Sequence, residues 1–221
     1  MQKFATPAPV AAVVEIPAGR LQLVAGDRAD TVVEVRPADP GRKRDVRAAE
    51  QAVVTYADGI LRIHLPQSDA SLVGPTGALD VTVLLPADSG IELRSAACEF
   101  SSTGRIGEVA VEGAYRRIAI DEAAAVRLAA VDGDVEVGRL AGPAEISTTR
   151  GDIRIAEAVR GTVVLSTLSG DITVAAAAGA SAALDAGTTL GRISNSLRSD
   201  GDAELRIRAT TTRGDITARS L

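Results

Sequence analysis

Tryptophan is missing altogether from this chain of 221 residues, and two tyrosines with two phenylalanines bring aromatics to only 2%. A protein with so few rings has no platform on which nucleic-acid bases could stack. Its net charge of −5 also lacks the basic field of a general nucleic-acid binder. One cysteine, Cys98, excludes an internal disulfide framework, and nothing demands an oxidising compartment. One histidine, His64, excludes a histidine-rich metal site and argues against a His-based triad. In "ILRIHLP" it alternates with Ile63 and Leu65 and reads as an outward-facing strand residue. No run approaches the roughly 20 apolar residues of a membrane-spanning helix. The N-terminal "MQKFATPAPVAAVVEIPAG" is broken by Pro7, Pro9 and Glu15, unlike a secretory signal. The expectation is therefore a cytoplasmic protein with no transmembrane segment. Phosphate-binding glycine loops, paired Cys-x-x-Cys and HExxH are absent too, so neither catalytic residues nor a cofactor are expected.

What the chain does have is apolar content, 46% of it, with length enough to bury a sizeable core. Without large rings that core must be laid down in thin, regular layers of Val, Ile, Leu and Ala. Such regularity is visible as a repeat. "AVRLAAVDGDVEVGR" (125–139), "AEISTTRGDIRIAEA" (144–158), "VVLSTLSGDITVAAA" (163–177) and "RIRATTTRGDITARS" (206–220) share an alternating apolar stretch, Ser/Thr, Gly-Asp, and apolar-x-apolar. Degenerate copies lie at 92–106, 109–123 and 185–197. The glycine column reads Cys98, Arg116, Gly133, Gly151, Gly170, Gly191, Gly214. Two residues further on stand Phe100, Ile118, Val135, Ile153, Ile172, Ile193 and Ile216, apolar in every copy, as stacked units around one core require.

Each unit reads as strand, turn, strand: period-two segments flank a corner where glycine supplies a tight conformation and Asp bonds nearby backbone. Stacked at about 4.8 Å, the units hydrogen-bond along a common axis. Arg150-Gly151-Asp152 and Arg213-Gly214-Asp215 match a tripeptide by which extracellular proteins engage cell-surface receptors. In this register they are the same corner as "SGD" at 169–171 and "DGD" at 132–134, and the reading is a structural turn.

The first ninety residues differ. "AAVVEIPAGRLQLVAG", "ADTVVEVRPAD", "QAVVTYADGILRIHLP" and "ALDVTVLLPADSG" are alternating strands closed by Pro or Asp-Gly turns, with "YADGILRI" a hairpin signal. Residues 39–51 read as a charged loop with one helical turn, and 67–77 as a flexible connection. This gives an N-terminal cap over 1–90, continuous with a Gly-Asp repeat solenoid over 91–221. The fold class expected is all-β: a right-handed parallel β-solenoid of about seven coils, the handedness following the usual preference of parallel crossovers. The last repeat ends without an apparent cap, which predicts a bare solenoid end at the C-terminus.

Together these features resemble DUF4097, a bacterial family of β-strand-repeat proteins with an adhesin label. The residues that carry the resemblance are "VVEIPAGRLQLVAGD", "DVRAAEQ", "DVTVLLPADS", the "SGDITV" and "RGDIRI" units, and "GRISNSL". The resemblance implies a parallel β-solenoid, no known activity and no catalytic residues to carry over. Cys98-Glu99 and Arg116-Arg117 depart from the family's Gly-Asp and mark where cap meets solenoid.

The sharpest chemical candidate is the corner carboxylate run Asp134, Asp152 and Asp171, a weak candidate for Ca²⁺, which wants six to eight oxygens. In chain order the column reads Glu99, Arg117, Asp134, Asp152, Asp171, Arg192, Asp215, so arginine interrupts it. Cys98, in a turn-glycine position, reads as a substitution and not as a nucleophile. The basic cluster Arg42, Lys43, Arg44, Arg47 is diluted by Asp39, Asp45 and Glu50 and reads as a solvated loop. The function expected is a non-enzymatic scaffold or adhesin-like interaction module for a protein or glycan partner. The alternatives are a structural element that self-associates through its solenoid ends and a carbohydrate-active β-helix enzyme.

Overall fold

The computed structural model describes residues 1–66 and 77–221, apart from the side chains of residues 114 and 115. The connection read at 67–77 therefore lies, up to residue 76, outside the described residues. The chain is all-β and solenoid-like, with one short helix among the described residues.

The repeat region shows why. Period-two alternation in β15 (Leu205–Arg213) buries Leu205, Ile207, Ala209 and Thr211 and exposes the residues between them. One such strand buries only one face, so it needs a second across the core. Each coil supplies both: a first strand, the Gly-Asp corner, and a returning strand. The first strands are β9 (Ala144–Arg150), β11 (Gly161–Ser169), β13 (Ala182–Leu190) and β15. The returning strands are β8 (Asp134–Leu140), β10 (Ile153–Ala158), β12 (Ile172–Ala176), β14 (Ile193–Ser196) and β16 (Ile216–Ser220). All these pairings are parallel, with Val135 beside Ile153, Ile153 beside Ile172, and Ile172 beside Ile216, and the register shifts once, between Ile155 and Ala158 of β10 against β12.

Upstream, β7 (Gly90–Asp132) runs through several passes without a break. Its residues 90–95 and 97–103 pair with the two halves of β2 (Ala11–Gly26), its residues 117–123 with β8, and 126–132 with β9. β2 is thus a coil in its own right. Gly19, Arg20 and Leu21 lie beside Cys98, Glu99 and Phe100. β2, on the N-terminal side of residue 90, stacks in parallel on β7.

The cap proper consists of β1 (Gln2–Ala5), β3 (Asp30–Pro37), β4 (Val53–Ala57), β5 (Ile60–His64) and β6 (Leu79–Pro86). β5 and β6 extend the parallel ranks, while β4 and then β3 reverse direction. Asp58 and Gly59, both at positive φ, make the tight turn between β4 and β5, as the Asp-Gly signal indicates. Residues 39–51 hold more helix than the single turn read from sequence: α1 runs Lys43–Gln51. Its buried face carries Ala48 and Asp45, and Asp45 Oδ1 accepts the Ala78 N–H at 3.1 Å. The rings of Phe4 on β1 and Tyr56 on β4 meet at 5.7 Å, joining the outermost strands of the two ranks at this end.

At the other end the order of coils departs from the order of the chain. β16 lies between β12 and β14, and β15 between β11 and β13. The C-terminal repeat is interior, and the coil at the end is the one before it, β13–β14. The expected bare C-terminal end is therefore corrected: Ile216 is 1% exposed. Ile193, assigned to the core column, is 47% exposed, because among the described residues no coil lies beyond it. Phe100, Ile118, Val135, Ile153 and Ile172 are buried.

Candidate functional site

The corner is built from three stacked interactions. Gly151, Gly170 and Gly214 have φ of +132°, +154° and +146°, and an added Cβ would come within 2.2 Å of the carbonyl oxygen of the preceding glycine in the stack. Only glycine permits that approach. Inside the corner, Thr148, Thr167, Thr211 and Thr188 lie in register. Thr167, Thr211 and Thr188 donate to the carbonyls of Gly151, Gly170 and Gly214 at 3.0–3.3 Å.

Outside the corner runs the aspartate column. The Asp152 N–H donates to Asp134 Oδ1 at 2.9 Å, that of Asp171 to Asp152 at 2.8 Å, and that of Asp215 to Asp171 at 2.7 Å. The series ends where the Arg192 N–H donates to Asp215 Oδ1 at 2.8 Å. Arg192 therefore does not interrupt the run of aspartates, whereas Arg117 does stand beside Asp134. In space the order is Asp134, Asp152, Asp171, Asp215, Arg192, and the arginine stands at the last coil. Each carboxylate of the Ca²⁺ candidate Asp134, Asp152, Asp171 gives one oxygen to a peptide N–H. Among the described residues no three acidic, histidine or cysteine side chains group as metal ligands.

The Arg-Gly-Asp tripeptide is tied into this structure. Arg150 Nη2 donates to Asp132 Oδ2 at 2.8 Å, and Asp152 Oδ1 is engaged as above. Cys98 is fully buried, and burial pushes its thiol up to about 12, which leaves it inert as a nucleophile. His64 pairs with Val53 across the hairpin and with Glu15 on β2, half-buried. In the basic cluster, Arg42 pairs with Asp39 at 3.0 Å and Arg44 with Asp45 at 3.4 Å.

The outer faces carry ion pairs across coils. Arg117 meets Glu136 at 3.2 Å, Arg20 meets Glu99 at 3.3 Å, and Arg139 lies between Glu122 and Glu157. Exposed pairs of this kind are each worth about 0–1 kcal/mol. Arg105 grips Asp88 through two hydrogen bonds of 2.6 and 2.7 Å and holds its carboxyl below the usual range.

One outward face is concave. A groove of about 550 Å³ crosses β2 and successive passes of β7. Its floor is small, with Ala11, Gly90, Ala110 and Ala129, and Arg94 and Arg127 stand among carboxylates on its walls. Arg94 lies 2.8 Å from Glu92, 3.7 Å from Glu15 and 3.8 Å from Glu112, and Arg127 lies 3.9 Å from Glu108. Reading the sequence column by column on the buried side misses this groove. Its signal is the coincidence of small residues at outward positions of neighbouring coils.

No curated protein matches the chain. Among solved structures it is similar to a candidate cell-adhesion protein from Clostridium sporogenes, at 12% identity and a TM-score of 0.39, covering 100% of this chain and 98% of that one. It is also similar to a candidate adhesin from Bacteroides fragilis, at 13% identity and a TM-score of 0.46, covering 98% and 95%. Residues 87–219, the unbroken passes of β7 and all the Gly-Asp coils after them, match the Toastrack DUF4097 family, and the chain belongs to that family.

Proposed function

We propose that this chain is a non-enzymatic, adhesin-like scaffold, a right-handed parallel solenoid of about seven coils that binds a protein or glycan partner on an outer face. The observation that supports this most is the groove over β2 and β7. Its small-residue floor admits an extended chain close to the sheet, and its Arg and Glu walls offer hydrogen bonds of both polarities. The acids there sit against arginines, an arrangement that neutralises carboxylates and leaves none set apart as a general acid.

The test is to probe glycan and peptide arrays with the intact chain and with Ala110→Arg, which fills the groove floor. Binding to one class, weakened at least about tenfold by the substitution at unchanged melting temperature, supports the reading. Silence on both arrays, or binding indifferent to Ala110→Arg, sinks it. Reducing ends released from a bound polysaccharide would replace the scaffold with an enzyme.

A further inference from the structure

We propose that the end coil, β13 with β14, docks against the same coil of a second copy of this chain, the two closing a twofold dimer by antiparallel strand pairing. This inference is independent of the groove.

The two ends of the solenoid are unlike. The N-terminal end is covered by reversed strands, by α1 and by the Phe4–Tyr56 contact. At the other end, among the described residues, β13 pairs only with β15 and β14 only with β16. Each strand leaves one edge of peptide groups unpaired, the feature by which strands recruit other strands. The core is open there as well: Leu184, Ala186 and Leu197 are only partly buried, and Leu190 and Ile193 are 60% and 47% exposed.

Three features select the occupant. First, a further parallel coil would lack the corner hydrogen bond that joins the coils before it. Every earlier Gly-Asp step has a carboxylate to receive the next corner's N–H, whereas the last corner offers Arg192, which only donates. Second, charge favours an antiparallel mate. The Arg192 side chain, 92% exposed, marks the corner end of both strands. The opposite end of the same strands carries the turn at 198–204, with Asp200, Asp202 and Glu204. Asp202 and Glu204 are exposed and join no ion pair among the described residues. A twofold axis normal to the sheets sets each Arg192 against the partner's acidic turn, twice over, while parallel stacking would set like charge above like. Third, the area suits a dimer. A nine-residue strand is about 30 Å long, and two ranks with their side chains span about 20 Å. The dimer then buries roughly 1,200 Å² in total, at the lower limit of a specific interface. Pairing is thus concentration-dependent, and it leaves the groove of each copy free.

The test is sedimentation of the intact chain across a wide concentration range. The expected mass rises from one chain to two and stops. Arg192→Glu and, separately, Ile193→Asp should raise the dissociation constant at least about tenfold without changing the melting temperature, since both positions are exposed. Adding Asp202→Arg and Glu204→Arg to Arg192→Glu should restore pairing, which a merely structural role for Arg192 would not produce. A single-chain mass throughout, growth beyond two, or pairing indifferent to these charges overturns the proposal.

Discussion

Four corner peptide N–H groups depend on a carboxylate one coil away: those of Asp152, Asp171, Asp215 and Arg192. Removing one carboxylate leaves one donor to water at a partly exposed site, so the loss is modest. Asp152→Ala should lower stability by about 1–2 kcal/mol, a few degrees of melting temperature in a chain of this size. Thermal melts with and without calcium check this: equal shifts fit a purely structural carboxylate. A calcium-dependent rise in the parent that vanishes in the variant would assign the column to metal instead. The need for glycine and aspartate was legible in the spelling of the repeat, because turn chemistry is local. The threonines three residues before Gly170, Gly191 and Gly214 were visible too, but their bonds to the glycine carbonyl of the neighbouring coil were not. That contact exists only once coils are stacked.

At the scale of elements, β1 is held to β3 by charge as well as by its ladder. Lys3 Nζ lies 2.8 Å from Asp30 Oδ2, and Arg28 Nε donates to Asp30 Oδ1 at 2.8 Å. Arg28 first, and then Lys3, lower the Asp30 carboxyl to about 2 from its ordinary 3.8. A depressed carboxylate stabilises the fold fully above its unfolded pKa and loses that contribution as pH falls through its folded one. Between about pH 4 and 2, β1 should therefore loosen. In Asp30→Asn its looser state should be nearly independent of pH over that range. Amide exchange at Lys3 and Phe4 reads this directly, and identical pH profiles in parent and variant would refute it. Strand existence was legible throughout from alternation. The nine residues of α1 were under-read because "KRDVRAAEQ" is mostly charged, and its short buried face becomes meaningful only against β3.

Among the Gly-Asp coils, sequence order and spatial order diverge at one place, and no periodicity could reveal it. Gly191 and Gly214 share the same corner chemistry, so either coil could stand last. The residue after each glycine gave a clue, since Arg192 cannot serve a further coil and Asp215 can. Protection against hydrogen exchange should follow space and not the chain. Amides of β15 and β16 should outlast those of β13 and β14, although they lie nearer the terminus. The reverse ranking would contradict the placement of β16 between β12 and β14.

That interleaving has a consequence for how the chain comes to fold. Synthesis delivers β13 and β14 before β15 and β16, yet the later pair must take the seat beside β11 and β12. Until it arrives, Asp171 can receive the Arg192 N–H, and Gly191 can rest on Gly170, in the manner that Asp215 and Gly214 later provide. The growing solenoid thus has a wrong neighbour built from its own repeat, and β15 with β16 must displace it. Completion of the earlier coils waits for β15 and β16 to be made.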